Sequence, residues 1–340
     1  MELYIYDPVN LVGIVDVMTS LRWRRKYFEP GEVELHVLAS TDQVDLLKPG
    51  HVIRRIDRTE AAMIEAVEIE GNDLSVSGRM LSSVMERAII SKQYNFNTTT
   101  EQAILSLSAE ITRIFPLLKA GKNTGLSPKV NMQVTYKNLL ETVTSLAKTA
   151  GIGYRVRFEP EGWFLECYQG VDHSVNQKKN PYVFFSDDFG NLGDASYSYD
   201  NTKYKNYALV AGEGEGEQRI KLEIDQSGGK ERREIFVDAK DVKQDKLTME
   251  EYLEKLRQRG LEKLADQVEV ENFESEALNV PNFEYLKDWD LGDLVTCYHT
   301  RWGISFPGRV TEIEEVYENG VTSITPTLGE PFPETIKTGG

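Results

Sequence analysis

The chain has 340 residues, of which 40% are hydrophobic and 28% are charged, and its formal net charge is −16. This length can bury a sizeable core and form two or more domains, and the composition excludes an intrinsically disordered chain. Because nucleic-acid affinity comes mainly from cations that neutralise phosphates, the acidic balance opposes tight binding of DNA or RNA.

The first part of the chain has the pattern of β-strands. Val33, Leu35 and Val37 alternate with polar residues, which is the period of a half-buried strand. Residues 71–73, Gly-Asn-Asp, favour positive backbone dihedrals and predict a hairpin turn. We therefore expect residues 1–92 to form a first β-barrel or sandwich region.

A segment with helical periodicity follows. Thr98 and Glu101 have the spacing of a capping box, and Pro116 is expected to end or kink the helix behind them. One apolar face of that helix is predicted from Ile104, Leu107, Ile111, Ile114 and Leu118. A second helix over about 137–150, stopped by Gly151, precedes a hairpin that turns at 160–162. Residues 93–180 are expected to form a small α/β insert.

Strands resume in the last part of the chain, interrupted by one amphipathic helix. Thr248 and Glu251 predict a capping box that starts a helix over 248–266. A turn is predicted at 318–320, and the last ten residues, with their prolines and terminal glycines, are expected to be a loose tail. The chain is thus predicted to be α+β and mainly β, with residues 181–340 as its second β region.

Three alternating glycines, Gly212, Gly214 and Gly216, resemble half of a phosphate-binding fingerprint. A phosphate loop needs bare backbone N–H groups and a helix directly after it. Here glutamates separate the glycines, and the next residues, 219–225, have the alternating pattern of a strand. The sequence therefore predicts a strand–loop–strand connection without a nucleotide, and no cofactor.

The cysteines and histidines do not have metal-ligand spacing. Cys297 and His299 are two residues apart and Cys167 and His173 are six apart, and neither spacing is typical of zinc. We expect two buried free thiols and no metal, although the sequence leaves a single disulfide open.

Nucleophilic catalysis has equally little support in the sequence. A serine or cysteine nucleophile needs an activating histidine, and the other two histidines are His36 and His51. The sequence contains no G-x-S-x-G motif. We therefore assign no catalytic residue on this basis.

Two groups of carboxylates could in principle support glycoside hydrolysis. They are Asp187 with Asp188, and Glu312 with Glu314 and Glu315. In a chain this acidic, neighbouring carboxylates are usually solvated faces of strands. We prefer that interpretation and expect the protein not to be an enzyme.

Residues 22–27, R-W-R-R-K-Y, are a local concentration of positive charge. Trp23 and Tyr27 could stack on nucleic-acid bases. The preferred alternative is a strand whose cations pair with acidic neighbours, because the net charge opposes polyanion binding.

Several stretches, in order along nearly the whole chain, resemble baseplate hub or tail-associated proteins of phages and prophages of Gram-positive bacteria. They are residues 6–36, 76–89, the Gly-Glu-Gly-Glu-Gly hairpin with Arg219, 291–304 and 310–320. The resemblance implies two tail-tube-like β-barrel domains and a structural role similar to the central hub of contractile tails. In such a protein the glycine loop belongs to the scaffold.

What the resemblance implies is a ring, expected to be trimeric, that caps the tail tube and adapts its sixfold symmetry to a threefold tip. The expected partners are further copies of the chain, a distal tail or tail tube protein above, and a tip, spike or tape-measure protein below. DNA would pass through the lumen without specific binding. The expected location is the virion tail tip, after assembly in the bacterial cytoplasm.

Two expectations concern targeting and length. The sequence has no apolar run long enough for a membrane span, and its start lacks the features of a signal peptide. Many relatives continue into a peptidase or carbohydrate-binding extension, for which this chain has no room, so inherited lytic or receptor-binding activity is not expected.

Two other functions stay open from the sequence. One is a cell-wall hydrolase that uses a carboxylate pair, and the other is a module that binds wall polysaccharide through exposed tryptophans. Trp163 and Trp302 are the candidates for such a module. We expect both to be packing residues, because large aromatic side chains are mostly buried.

Overall fold

The computed structural model describes residues 1–277, 283–318 and 320–329. Its first strands are β1 (Leu3–Asp7), β2 (Asn10–Val15), β3 (Ser20–Lys26), β4 (Glu32–Leu38), β5 (Val52–Arg55), β6 (Ala61–Glu70) and β7 (Asp73–Met80). The next are β8 (Tyr94–Thr99), β9 (Leu118–Ala120), β10 (Lys129–Val134), β11 (Gly153–Glu159) and β12 (Gly162–Tyr168).

The remaining strands are β13 (Phe184–Ser186), β14 (Leu192–Asp200), β15 (Tyr207–Ala211), β16 (Lys221–Asp225), β17 (Glu234–Asp238), β18 (Val270–Ala277), β19 (Leu294–His299), β20 (Ile304–Glu318) and β21 (Val321–Gly329). The α-helices are α1 (Thr41–Leu46), α2 (Thr100–Thr112), α3 (Leu139–Ala150) and α4 (Met249–Ala265). The prediction of a mainly β chain with few helices is confirmed. Among the described residues, no helix has the length and apolar character needed to cross a bilayer.

One large sheet joins strands from both ends of the chain. Among the described residues it has thirteen strands, with the main order β14-β18-β21-β20-β3-β4-β7-β6-β5-β1-β2 and with β13 and β19 attached beside β20. The joint is the antiparallel pair of β3 and β20, which places Arg24 opposite Glu314. The first and last β regions therefore share one hydrogen-bonded sheet.

Smaller units stand beside this sheet. The segment between β7 and β13 supplies the pair β10-β8, the sheet β11-β12-β9, and helices α2 and α3. A third unit combines the sheet β16-β15-β17 with α4. The domain boundaries at 92/93 and 180/181 stay predictions.

Three apolar clusters hold these layers together. The largest lies between the large sheet and the insert and includes Leu107, Phe158 and Trp163. A second is formed by inner side chains of β1–β7, and a third lies under α4. Burial of such apolar surface, at roughly 25 cal/mol per Å², is the main favourable contribution to folding.

The ends of the helices confirm two predictions and correct one. The capping box of Thr248 and Glu251 is present at the start of α4, and Gly151 ends α3 with φ of 66°. The capping box predicted at Thr98 and Glu101 is wrong, because Thr99 caps α2 by accepting a bond from the Gln102 N–H. Glu101 is buried and instead accepts backbone N–H groups of residues 124–126.

The end of α2 also differs from the prediction. The helix ends at Thr112, so Ile114 and Leu118 do not extend its apolar face. Ile114 is largely exposed, whereas Leu118 belongs to β9. Since Pro116 has no N–H and disfavours helical geometry in the residue before it, the chain leaves the helix before reaching it.

Both predicted hairpins are confirmed. β6 and β7 pair antiparallel with Glu70 opposite Asp73, and β11 and β12 pair with Glu159 opposite Gly162. At 318–320, β20 and β21 pair up to Glu318 and Val321, but Asn319 lies outside the described residues. The predicted tail at 331–340 also lies outside them.

Candidate functional site

One face of the large sheet is covered by paired charges. On β3, side chains alternate, so that Trp23 and Arg25 point into the protein while Arg22, Arg24 and Lys26 lie on the other face. The antiparallel neighbours β4 and β20 place glutamates opposite these cations. We call this surface the charged face, and it is formed by Arg22, Arg24, Lys26, Glu32, Glu34, Glu312 and Glu314.

The cations of the charged face are engaged by the glutamates beside them. Arg22 Nη1 lies 3.3 Å from Glu34 Oε2, and Arg24 Nε lies 3.1 Å from Glu312 Oε1 and donates to Glu314 Oε2 at 2.9 Å. Opposite charges directly across adjacent strands stabilise a sheet by about 0.2–1 kcal/mol per pair. The basic stretch at 22–27 thus pairs with acidic neighbours, as preferred from the sequence. Its aromatic residues are buried and cannot stack on bases.

A second, buried group of charges lies on the opposite side of β3. We call it the buried arginine cluster, and it is formed by Arg25, Arg55, Arg58, Glu60 and Glu315. Arg25 donates to Glu60 Oε1 from Nε and Nη2 at 3.2 and 3.1 Å. Glu315 accepts from Arg55 Nη1 at 2.9 Å and from Arg58 Nε at 3.0 Å. These bonds join β3 to the residue before β6, and they join β5 and the loop after it to β20.

The cluster keeps the Glu60 carboxylate ionised despite its burial. Burial alone would raise the pKa of Glu60, but attraction to Arg25 and then Arg155 lowers that pKa below its ordinary value. Tyr285 donates to Glu315 Oε1 at 3.1 Å, and Arg25 Nη1 donates to Asp290 Oδ1 at 2.7 Å. The segment before β19 is thereby bonded to the same cluster. A carboxylate held by guanidinium groups in this way is a poor proton donor, so the arrangement is structural.

The glycine loop at 212–216 is part of the scaffold. It connects β15 to the antiparallel strand β16, which confirms the predicted strand–loop–strand connection. The hydroxyl of Tyr252 accepts the N–H of Glu213 at 2.7 Å, and Arg219 Nε donates to the carbonyl of Gly212 at 2.7 Å. A Cβ on Gly212 would lie 2.2 Å from the Tyr252 hydroxyl, so glycine is required there by close approach. The first backbone groups of the loop are thus already bonded to side chains of the protein.

Four of the five carboxylate candidates, Glu312, Glu314, Glu315 and Asp187, are engaged by neighbouring groups of the fold. Glu314 lies on the charged face, and Glu315, the next residue, points into the buried arginine cluster. Asp187 accepts the N–H and the hydroxyl of Thr300, both at 2.9 Å, and these bonds lower its pKa. Asp188 is bonded through its own N–H to the Ser186 hydroxyl at 3.1 Å. Asp187 therefore shapes the turn between β19 and β20.

The cysteines are buried thiols, and burial raises the pKa of Cys167 to about 12. A thiol with so high a pKa is a poor nucleophile at neutral pH. Within the described residues, no three His, Cys, Asp or Glu side chains converge as a metal site.

Each histidine has a structural neighbour. His36 Nδ1 lies 2.7 Å from Asp73 Oδ2, and His51 Nδ1 lies 2.7 Å from the carbonyl of Leu46. His173 Nδ1 lies 2.8 Å from the Pro181 carbonyl. The ring of the fourth, His299, stacks on an aromatic side chain of the same turn. These contacts orient strands and turns.

The two tryptophan candidates differ from each other. Trp163 is fully buried against Phe115, as expected. Trp302 stacks on His299 with ring centroids 3.8 Å apart and meets the buried ring of Phe273 at 6.3 Å, so it packs against the protein. The burial expected for it is not found, because its side chain stays 42% exposed at the β19–β20 hairpin.

Two features were not predicted from the sequence. The buried arginine cluster has a weak signal, the three arginines of I-R-R-I-D-R-T-E at 53–60 in an otherwise acidic chain. The other feature is β2, which lies at the end of the large sheet and exposes Leu11, Val12 and Ile14. Alternation alone does not reveal that β2 is a terminal strand, because the position of a strand in its sheet depends on distant partners.

Comparison with known proteins gives a family and a fold. A family model described as "Siphovirus ReqiPepy6 Gp37-like protein" matches residues 2–330. No curated protein matches the sequence.

Three solved structures share the fold over nearly their whole length. The prophage MuSo2 43 kDa tail protein from Shewanella oneidensis has a TM-score of 0.62 at 13% identity, covering 96% of this chain and 98% of that one. The tail protein from Neisseria meningitidis MC58 has a TM-score of 0.62 at 14% identity, with 97% and 98% covered. Prophage tail protein gp18 from Listeria monocytogenes EGD-e has a TM-score of 0.59 at 13% identity, with 97% and 95% covered. The fold thus extends beyond Gram-positive hosts.

Proposed function

Since this chain belongs to the siphovirus ReqiPepy6 Gp37-like protein family, we propose that it is a structural, non-enzymatic hub of a phage or prophage tail. The observation that carries the proposal is the fold shared over 96–97% of the chain with three prophage tail proteins. The hub would sit at the virion tail tip, between a tail tube or distal tail protein and a tip, spike or tape-measure protein.

The proposed assembly is a trimeric ring in which each chain supplies two tail-tube-like β-barrel domains. With two such domains in each chain, a ring of three chains presents six similar domains to a sixfold tube. The same ring presents three identical chains to the tip. The pairing of β3 with β20 supports this proposal, because it places the first and last β regions side by side in each chain. The buried arginine cluster would keep their relative orientation constant during assembly.

DNA would pass through the lumen of this ring without binding. A net charge of −16 supports this, since like charges repel the phosphate backbone. The charged face is a candidate lining, because it sets four carboxylates against three cations. A basic channel in the assembled ring would contradict this part of the proposal.

The test of the ring is the solution mass of the purified protein by light scattering, followed by negative-stain imaging. The proposal predicts three times the chain mass of 38.6 kDa and particles with a central opening. In a parallel assay the protein is incubated with purified cell walls, and no muropeptide is expected. Release of muropeptides, abolished by an Asp187→Asn substitution, would overturn the non-enzymatic role.

A further inference from the structure

The exposed strand β2 has the properties of an incomplete sheet edge. Within the described residues it pairs with β1 alone and ends the strand order of the large sheet. Leu11, Val12 and Ile14 are 52%, 48% and 45% exposed, and Val17 just beyond the strand is 75% exposed. A terminal strand offers unpaired backbone N–H and C=O groups on its outer side and is a template for another strand.

β2 carries a register shift against β1 between Ile5 and Tyr6, but it lacks the charges and prolines that commonly protect such an edge. Residues 10–15 contain neither a charge nor a proline, whereas lysine, proline and inward charges are the common protections. The edge strand β16 of the small sheet shows the contrast, since Lys221, Glu223 and Asp225 place a charge at every second position. The chain thus protects the β16 edge with charges but leaves the β2 edge apolar and uncharged. This contrast indicates that β2 is covered in the assembled protein.

The opposite end of the same sheet supplies a matching edge. Among the described residues β14 pairs with β18 alone, and its central stretch, residues 195–199, is neutral. Tyr199 is half exposed there. Aromatic side chains opposite aliphatic and β-branched ones are favourable cross-strand pairs. A charged edge, in contrast, would bring carboxylates against the apolar side chains of β2 at a desolvation cost.

We propose that β2 pairs with β14 of a second copy of this chain, so that the large sheet continues from one subunit into the next. β2 and β14 are different strands at the two ends of the main strand order, so each chain can bind a neighbour on either side. Contacts of this head-to-tail kind form a ring when the rotation between neighbours closes and an open filament when it does not, whereas a contact of β2 with β2 would stop at a dimer. The inference rests on the proposed function, because it names the surfaces through which the ring would form.

The first test compares two lysine variants by light scattering. Val12→Lys/Ile14→Lys places two charges on the β2 edge, and Ile69→Lys/Val321→Lys places two at exposed apolar positions away from both edges. The expected result is a threefold fall in mass for the β2 variant, with an unchanged circular dichroism spectrum, and no change for the control. A folded β2 variant that still forms rings would overturn this inference and leave the hub function intact.

The second test identifies the partner strand by cross-linking. Val12→Cys and Ser198→Cys proteins are treated with a short bis-maleimide, each alone and after mixing of dissociated subunits; the native cysteines are buried. A covalent dimer is expected from the mixture alone. Dimers from Val12→Cys alone would indicate a β2–β2 contact and overturn the inference. A wild-type chain that stays monomeric at every concentration would remove both the ring and this interface.

Discussion

Arg25 and Glu60 form an ion pair from which water is almost excluded, with 3.1 Å between Nη2 and Oε1 and side chains only 4% and 7% exposed. The pair joins β3 to the residue that precedes β6. Arg25 also reaches Asp290, 265 positions away in the chain, so one guanidinium connects distant segments. Removal of one member of such a pair is more costly than replacement of both, because it leaves a buried charge without its partner.

The first prediction concerns this pair. Glu60→Ala should lower the free energy of unfolding by about 3–5 kcal/mol, as for other buried pairs broken on one side. Glu34→Ala is the matched control, since its pair with Arg22 is about half exposed and should cost below about 1 kcal/mol. Urea unfolding measures both. Equal losses of unfolding free energy at the two sites would contradict the prediction. The double substitution Arg25→Met/Glu60→Leu should destabilise the protein less than Glu60→Ala, because it removes both members of the pair.

The second prediction concerns Gly212. Alanine there would place a Cβ 2.2 Å from the Tyr252 hydroxyl, and we expect a loss of about 1–3 kcal/mol from overpacking. Tyr252→Phe alone should cost about 1 kcal/mol, because the Glu213 N–H loses its acceptor. In the double variant the clash is relieved, so its cost should be smaller than the sum of the two single costs. Additive costs by thermal unfolding would show that the hydroxyl is not the obstacle.

The third prediction concerns Glu262 on α4. Burial raises the pKa of this carboxyl, although Arg259 and Lys137 oppose the shift. The folded state therefore binds the proton more tightly than the unfolded state, and stability falls as pH rises from about 4.3 through the raised pKa. The Glu262→Gln side chain does not titrate, so this variant does not lose stability as the pH rises. Its free energy of unfolding relative to that of the wild type should therefore increase over that pH range.

The measurement is urea unfolding of both proteins at several pH values between 4 and 8. Glu254→Gln is the control on the same helix, since Glu254 pairs with Arg257 at an exposed position. Its effect should stay within about 0.5 kcal/mol at every pH, as for most surface substitutions. A Glu262→Gln effect that did not change with pH would contradict the assigned protonation.

The fourth prediction concerns His36. The hydrogen bond to Asp73 raises the pKa of this imidazole, and Glu34 adds to the shift. A raised histidine pKa stabilises the folded state fully below the unfolded value of about 6.5, and this contribution is lost as pH rises through the folded pKa. Titration of the His36 ring by NMR should give a pKa above 6.5 that Asp73→Asn lowers. Asp45→Asn, at an exposed pair with Lys48, should leave the pKa unchanged.

Local structure could be predicted from the sequence because neighbouring residues determine it. The capping box at Thr248, the left-handed stop at Gly151 and the turn at 71–73 each depend on a few side chains close in sequence. The failure at Thr98 has a different origin, since it involves a contact distant in sequence. Thr98 and Thr99 are both suitable helix caps by residue type. The Glu101 carboxylate accepts backbone N–H groups of the loop at 124–126, so it does not complete a capping box with Thr98.

The sequence by itself determined the element types, the pairing of the basic stretch at 22–27 with acidic neighbours, and the strand–loop–strand connection at Gly212. The tertiary structure alone decided that β3 pairs with β20, which brings Arg24 to Glu314 across 290 positions, and that β2 is left as an edge. Many strands of the chain share the same alternating pattern, so the pattern does not select partners. Selection comes from the burial of a whole face and from ion pairs such as Arg25 with Glu60, which exist only once distant strands have met.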